Sequence, residues 1–303
     1  MSVEAAYSRL LENVSGLVRR DESMAKHTTY RTGGPADLFV IADTVSDLSL
    51  SIGVLDECGI EWKVLGKGSN VLVADSGYRG AVLVLGRDFR KHQIGDGHLI
   101  AGAGALLGHV VHDAYAAGLS GLEFAVGIPG TVGGALAMNA GSRDEWIGSL
   151  VQSVTLYTPE NGLVRVEGHK VGWSYRYSDI SSRGIALECL IRAETGDVSA
   201  IRRRMDASLS RRKRTQPIGL PCGGSVFRNP EGDSAGRLIE AAGLKGRRAG
   251  QAAISDVHAN FIVNLGGAKA SDVLRLMHDA REAVFDKFGI ELEPEIRFMG
   301  SFS

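Results

Sequence analysis

Gly127-Ile128-Pro129-Gly130-Thr131-Val132-Gly133-Gly134, continued by Met138-Asn139-Ala140-Gly141, is the stretch on which the reading of this sequence turns. Four glycines in eight residues, with a proline fixing φ between them, exceed what one turn requires. Where side chains are missing, backbone approaches a flat or charged ligand that any Cβ would meet. A second such segment, Leu65-Gly66-Lys67-Gly68-Ser69-Asn70, directly follows an apolar strand at Trp62 to Leu65. Successive N–H groups of a glycine turn form an anion-binding concavity suited to a pyrophosphate, and Ser69 adds a hydroxyl donor. Alone, residues 65–70 read as a tight β-turn. Together, the two segments make a backbone grip on a nucleotide-like ligand the first expectation. A third segment, Gly102-Ala103-Gly104-Ala105-Leu106-Leu107-Gly108, imitates the dinucleotide fingerprint. Its spacing is GxGxxxG, and about 20 positions on stands the loop GLSGLEF instead of an acidic residue closing a second strand. Its glycines therefore read as close helix–strand packing.

Glycine supplies 40 of the 303 residues, about 13% against a usual roughly 7%, and it crowds into these turns instead of forming linkers or repeats. The length suggests two domains, at about 150 residues each. Lys+Arg 34 against Asp+Glu 35 leaves a net charge of −1, which argues against a nucleic-acid or polyanion binder. No apolar run approaches the roughly 18 residues of a membrane span. The start, MSVEAAYSRLLENV, lacks a basic region followed by an apolar one, so a cytoplasmic location is expected. Cys58, Cys189 and Cys222 form no CxxC pair and the histidines show no HxH or HExxH spacing, so no metal site is expected. No GxSxG elbow and no Cys/His nucleophile motif is present.

Leu10, Leu11, Val14, Leu17 and Val18 recur at helical spacing over 4–18 and predict an opening helix. A βαββ module follows, with strands at Leu38 to Ile41, Trp62 to Leu65, Val71 to Val73 and Ala81 to Leu85 and a helix near 44–57. The next unit has a strand at His98 to Ala101, a helix at 105–117, a hairpin turning at Asn161-Gly162 and a strand at Ile185 to Arg192. Ile201, Met205 and Leu209 mark one face of a helix from Asp197 to Arg214, where the main boundary is placed. The remainder reads as strands at Ser225 to Arg228, Ala259 to Val263 and Leu292 to Phe298, with helices at 234–242 and 271–287.

Three polar residues far apart in sequence complete the candidates. Arg176 lies in Trp173-Ser174-Tyr175-Arg176-Tyr177-Ser178, among aromatics that shield a guanidinium from water. Ser225 lies on a strand entered through Gly223 and Gly224, and Glu295 alternates with Ile296 and Phe298, so that it faces away from them. A cation, a hydroxyl and a carboxylate serve proton transfer and stabilise a developing enolate. From spacing alone, the reading as a surface ion pair and an ordinary strand serine is favoured. The basic run Arg202, Arg203, Arg204, Arg211, Arg212, Lys213 and Arg214 reads as a solvated helix face whose end meets a phosphate at most.

With these residues in view, the sequence resembles the UDP-N-acetylenolpyruvoylglucosamine reductase family. The likeness rests on TYRTGGPAD at 29–37, LGKGSNVLVAD at 65–75, GLEFAVGIPGTVGGALAMNAG at 121–141, SYRYS at 174–178, GGSVFRNP at 223–230, AGRLIEAAGLKG at 235–246, HANFIVN at 258–264 and LEPEIRFMG at 292–300. It implies an α+β fold: a two-part FAD-binding region of the vanillyl-alcohol-oxidase (PCMH) type over 1–85 and 86–196, and a C-terminal α+β substrate-binding domain over 197–303. It implies that Gly66, Lys67, Gly68, Ser69 and Asn70, with Gly127, Ile128, Pro129, Gly130, Gly133 and Gly134, hold non-covalent FAD, and that Arg297 reaches the flavin.

The family chemistry implied is reduction of FAD by NADPH, then hydride transfer from flavin N5 to C3 of UDP-N-acetylglucosamine enolpyruvate. By motif position, Ser225 resembles the proton donor to C2, and Arg176 with Glu295 the pair that stabilises the enolic intermediate. Tyr175, Asn229 and Asn260 fall at positions of substrate or nicotinamide contacts. Arg228 departs from the family's lysine, and the 49 residues from Arg176 to Ser225 (225 − 176) match the shorter branch. The resemblance implies no nucleic-acid, membrane or obligate protein partner. Two alternatives stand beside this reading: a flavin oxidase of an alcohol or sugar with the same fold, and a non-catalytic nucleotide-binding module.

Overall fold

The computed structural model describes residues 2–142 and 144–302, which form two compact units. The first comprises residues 2–20, 38–67 and 80–210, and the second residues 21–37, 68–79 and 211–302. Among the described residues no helix is long and apolar enough to cross a membrane.

The opening helix is shorter than its apolar spacing predicts. It runs Val3–Asn13, with the Ser2 hydroxyl accepting from the Ala5 N–H, and Val14 is already extended. Val14 and Val18 are buried all the same, at 8% and 7% exposure, because Val18 opens the strand Val18–Ser23. A four-stranded sheet follows in the order Val18–Ser23, Pro35–Ala42, Tyr78–Leu85, Trp62–Val64. The helix Val45–Glu57 starts at a capping box in which the Thr44 hydroxyl accepts from the Asp47 N–H and the Asp47 carboxylate from the Thr44 N–H. Leu48, Ile52 and Leu55 of that helix join Leu38, Val40 and Leu83 of the sheet in one core.

A second, antiparallel sheet has the order Gly162–Glu167, Val151–Thr158, Ile185–Arg192, His98–Gly102, His92–Gly95. Alternate residues of Ile185–Arg192 are buried, as a half-covered strand demands. The helix Leu107–Ala116 and the short helix Val132–Ala137 supply the apolar cover. The expected hairpin forms, but not through a two-residue Asn-Gly turn. Gly162 pairs with Thr158, leaving residues 159–161 as the loop, and Gly162 takes the left-handed position (φ +66) in place of Asn161.

In the second unit, an antiparallel sheet has the order Cys222–Ser225, Phe261–Asn264, Ala252–Ile254, Arg248–Ala249. Helices Ala235–Ala241 and Ala270–Phe288 pack on it through Leu238, Ile239, Val273, Leu276 and Val284. Tyr30 and Leu72 enter the same core. The strand expected at Ser225 to Arg228 ends at Ser225, since Phe227 makes only an isolated bridge to Pro294. The last strand starts late, at Arg297–Met299, and runs parallel to Val71–Val73. Alternation therefore breaks at Ile296, which is 2% exposed while Phe298 is 38% exposed, so Glu295 is not placed by a regular strand.

Candidate active site

Within the first unit the glycine segments converge on Thr131. Its hydroxyl accepts from the Gly134 N–H at 3.3 Å and so caps the helix Val132–Ala137. A Cβ on Gly66 would stand 2.5 Å from that same hydroxyl, so the two loops meet only because residue 66 has no side chain. Below them, the Gly133 N–H donates to the Ala103 carbonyl (2.8 Å) and the Val132 N–H to the Ala105 carbonyl (2.9 Å). The third glycine segment is thus a packing floor. Its close contacts differ from those expected: a Cβ on Gly102 would lie 2.2 Å from the Phe89 carbonyl oxygen and one on Gly104 2.9 Å from that of Leu85, while Gly108 faces open space. The junction leaves Gly66, Lys67, Gly127, Pro129 and Gly134 exposed and Ile128, Gly130 and Gly133 half-buried.

Arg176 sits in the same unit, at the tip of the hairpin Trp173–Ser174/Tyr177–Ser178, with a left-handed backbone (φ +55). It is half-buried, its Nη1 donates to the Gly141 carbonyl at 2.8 Å, and its guanidinium lies 5.4 Å from the centre of the Tyr175 ring. The aromatic shelter expected from the sequence is therefore present on one side.

In the second unit, the remaining candidates are tied together by backbone. The Gly68 N–Cα–C unit (φ +64) passes so close to His27 that a Cβ would lie 2.2 Å from its carbonyl oxygen. Asn70 donates from Nδ2 to the Glu295 carbonyl (3.1 Å), and its own carbonyl accepts from the Arg297 N–H (2.9 Å). The Glu295 N–H donates in turn to the Val226 carbonyl (2.8 Å), next in chain to Ser225. Ser225, Glu295, Asn70 and Arg297 thus come from adjoining backbone segments.

Ser225 is half-buried at the end of its strand, after Gly224 in left-handed conformation (φ +78). Beneath it, a Cβ on Gly223 would lie 2.1 Å from Cε2 of the fully buried Tyr30 ring, and the Thr29 hydroxyl donates to the Cys222 carbonyl (2.7 Å). Burial pushes the Tyr30 phenol and the Cys222 thiol up, so Cys222 is no thiolate at neutral pH. Burial and the Lys245 charge push His258 down. Its Nδ1 accepts from the Asn260 N–H.

Asn260 and Asn229 each make hydrogen bonds within the second unit. Asn260 is 2% exposed, and its amide both accepts from the Phe227 N–H (3.0 Å) and donates to the Phe227 carbonyl (2.8 Å). It positions the segment after Ser225. Asn229 accepts from the Ala235 N–H at 3.1 Å, at the start of the helix Ala235–Ala241. Sequence reasoning passed over Thr29, Tyr30 and the individual role of Asn139, whose contacts join distant segments that no local pattern marks.

The end of the helix Val198–Thr215 contributes to a further feature of this unit. Lys213, Gln216, Pro217, Ile218, Arg248 and Val257 help line a cavity of about 420 Å³. Earlier on that helix Arg204 leaves the solvated face to hold the buried Glu123 carboxylate (Nε 3.1 Å). Among the described residues, no three His, Cys, Asp or Glu side chains gather as a metal ion would require.

Comparison with known proteins identifies the family and the fold. The family model "FAD binding domain" matches residues 36–167, and "UDP-N-acetylenolpyruvoylglucosamine reductase, C-terminal domain" matches residues 216–299. The chain is 43% identical, over 97% of its length and 94% of the relative's, to the UDP-N-acetylenolpyruvoylglucosamine reductase of Heliobacterium modesticaldum. It is 45% identical to that of an Anaeromyxobacter species over 95% of this chain and 91% of the relative. The crystal structure of the Thermus caldophilus reductase superposes with a TM-score of 0.82 at 35% identity, covering 94% of this chain and 99% of that one. These matches bear out the expected fold class, an α+β FAD-binding region followed by a C-terminal domain of the reductase type.

Proposed function

This chain belongs to the UDP-N-acetylenolpyruvoylglucosamine reductase family, an FAD-domain oxidoreductase family of peptidoglycan precursor synthesis, and we propose that it reduces UDP-N-acetylglucosamine enolpyruvate with NADPH in the cytoplasm. The observation that carries the proposal is the Glu295 N–H bond to the Val226 carbonyl. It brings the backbone of Glu295 against the residue that follows Ser225, on the segment that also fastens Asn70 of the first glycine loop.

The residues fit FAD. Exposed backbone at Gly66 and Gly127, with Lys67 at the surface, offers N–H donors and a cation to a pyrophosphate where side chains would obstruct it. Gly68, Ser69 and Asn70 continue the first loop, and Arg297, hydrogen-bonded to Asn70 through its backbone, would contact the flavin by the family resemblance. When bound, FAD supplies hydride chemistry, from NADPH to C3 of the enolpyruvyl group. By the family resemblance, Arg176 pairs with the substrate carboxylate, and Glu295 is assigned to the enolic charge that develops beside C2. The Ser225 hydroxyl gives its proton to C2 and regains one from solvent. An ordinary serine is a weak acid, so this step needs a strongly basic carbon held within hydrogen-bond reach.

The functional division proposed is FAD binding over 1–85 and 86–196 and substrate binding over 197–303. The cavity beside Lys213 and Gln216 takes the uridine diphosphate end, where a lysine meets phosphate and the apolar lining meets the nucleoside. Purified Ser225→Ala protein tests the reading. It keeps its yellow colour and is bleached by NADPH, but forms product at least 100-fold more slowly. Wild-type turnover by that variant removes Ser225 from the mechanism.

A further inference from the structure

Arg176 occupies the tip of a hairpin of two residues per strand, too small to hold its own position. Its backbone is left-handed (φ +55), a conformation that a non-glycine residue keeps only where its surroundings impose it. The surroundings centre on Asn139, which is itself left-handed (φ +42) and 5% exposed. Its Nδ2 donates to the carbonyl of Ser174, two residues before Arg176, at 3.0 Å. Its Oδ1 accepts from the Gly148 N–H, also at 3.0 Å. Gly148 in turn has no room for a side chain: a Cβ would lie 2.4 Å from the Trp173 ring. Two residues past Asn139, the Gly141 carbonyl accepts the Arg176 guanidinium directly. At the other end of the hairpin, the Ser178 hydroxyl donates to the Leu136 carbonyl (2.8 Å). The chain leaving the 127–134 glycine loop therefore grips the hairpin on both strands, with the Asn139 amide at the centre.

We infer that Asn139 is a positioning residue for Arg176: its amide fixes the Ser174 backbone and thereby the place from which the guanidinium meets the substrate. The inference rests on the proposed role of Arg176. Each arm of the amide has its own consequence. Glycine at 139 keeps the left-handed backbone and loses both arms. Aspartate keeps the acceptor for Gly148 and sets a carboxylate oxygen against the Ser174 carbonyl, where a donor is needed.

Asn139→Gly and Asn139→Asp proteins should still be bleached by NADPH at rates within about twofold of wild type. Their reduced flavin should be reoxidised by the enolpyruvyl substrate some 10- to 100-fold more slowly, the scale of a misplacement of about 1 Å. In an Arg176→Ala background, adding Asn139→Gly should change that rate no further, because a residue acting through Arg176 has nothing left to position. Apoprotein gives an independent readout. In a Trp62→Phe, Trp146→Phe background, acrylamide should quench Trp173 more strongly once Asn139 is glycine.

Equal slowing by Asn139→Gly with and without Arg176, or unchanged Trp173 quenching, overturns the inference and leaves the proposed function standing. Undiminished substrate reduction by Arg176→Ala overturns the proposed role of Arg176, and the inference with it. Should the glycine variant fail to fold, the aspartate variant carries the same comparison.

Discussion

Gly223→Ala is the most direct probe of how the strand bearing Ser225 is seated. The added methyl would lie 2.1 Å from Cε2, 2.7 Å from Cδ2 and 3.0 Å from Cζ of Tyr30. Carbon–carbon contacts relax at about 3.5 Å, so roughly 1.4 Å of separation must be created. Tyr30 is 0% exposed and packed in the core of the second unit, and Thr29 is bonded to Cys222, so neither side yields alone. Overpacking of this kind costs about 1–3 kcal/mol, which lowers Tm by roughly 2–4 °C per kcal/mol. The strand carries much of the shift to Ser225, two residues on, and a displacement of about 1 Å slows proton delivery on the order of 100-fold. The assay is stopped-flow spectroscopy of the two half-reactions beside a thermal melt. Reduction by NADPH should stay near wild type, transfer to substrate should slow, and Tyr30→Val in the same chain should recover part of the loss. Wild-type Tm with wild-type transfer would refute the steric argument.

Two further outcomes follow from polar groups of the second unit. The Tyr30 hydroxyl is buried without a partner in bonding geometry, so Tyr30→Phe should leave the denaturant midpoint unchanged or raise it; a loss of more than about 1 kcal/mol would reveal a hydrogen bond there. Asp75 accepts from the N–H groups of Ala270 (2.7 Å) and Ser271 (3.0 Å) and so caps the helix Ala270–Phe288 from 195 residues away. Asp75→Ala should cost about 1 kcal/mol at pH 7, read from urea melts. Burial pushes this carboxyl up, but the bonds from Ser271 and Ala270 outweigh it and hold it below its ordinary value. A depressed folded pKa gives stability that is complete above the unfolded value, about 3.9, and lost as pH falls through the folded one. The difference between wild type and Asp75→Ala should therefore close in acid; a gap constant to pH 3 (an assay condition on the order of one unit below the unfolded value) would contradict it.

Most of the helices were legible because their caps and apolar periods lie within a few residues of one another. Thr44 and Asp47 announce one helix three residues apart, and Leu238, Val273 and Leu276 sit on faces that any helix would bury. The less legible elements owe their form to distant partners. Val18 fits a helical period as well as a strand, and pairing with Pro35–Ala42 decides for the strand. Glu295 is held through main-chain bonds to Val226 and Asn70, on a stretch where regular strand alternation has not begun. Asn260 has the chemistry of a ligand contact, and the structure adds that its amide also accepts from and donates to the Phe227 backbone.

From sequence alone came the glycine loops, the candidate trio of Arg176, Ser225 and Glu295, and the family, since each is written in contiguous residues whose backbone freedom or side-chain chemistry is local. Tertiary structure decided what holds those residues in place: Thr131 under Gly66, Tyr30 under Gly223, Asn139 behind Ser174. Such contacts depend on which atoms share a volume after folding, and close packing joins segments as far apart as the 225 residues between Asn70 and Glu295, which carry no common pattern along the chain.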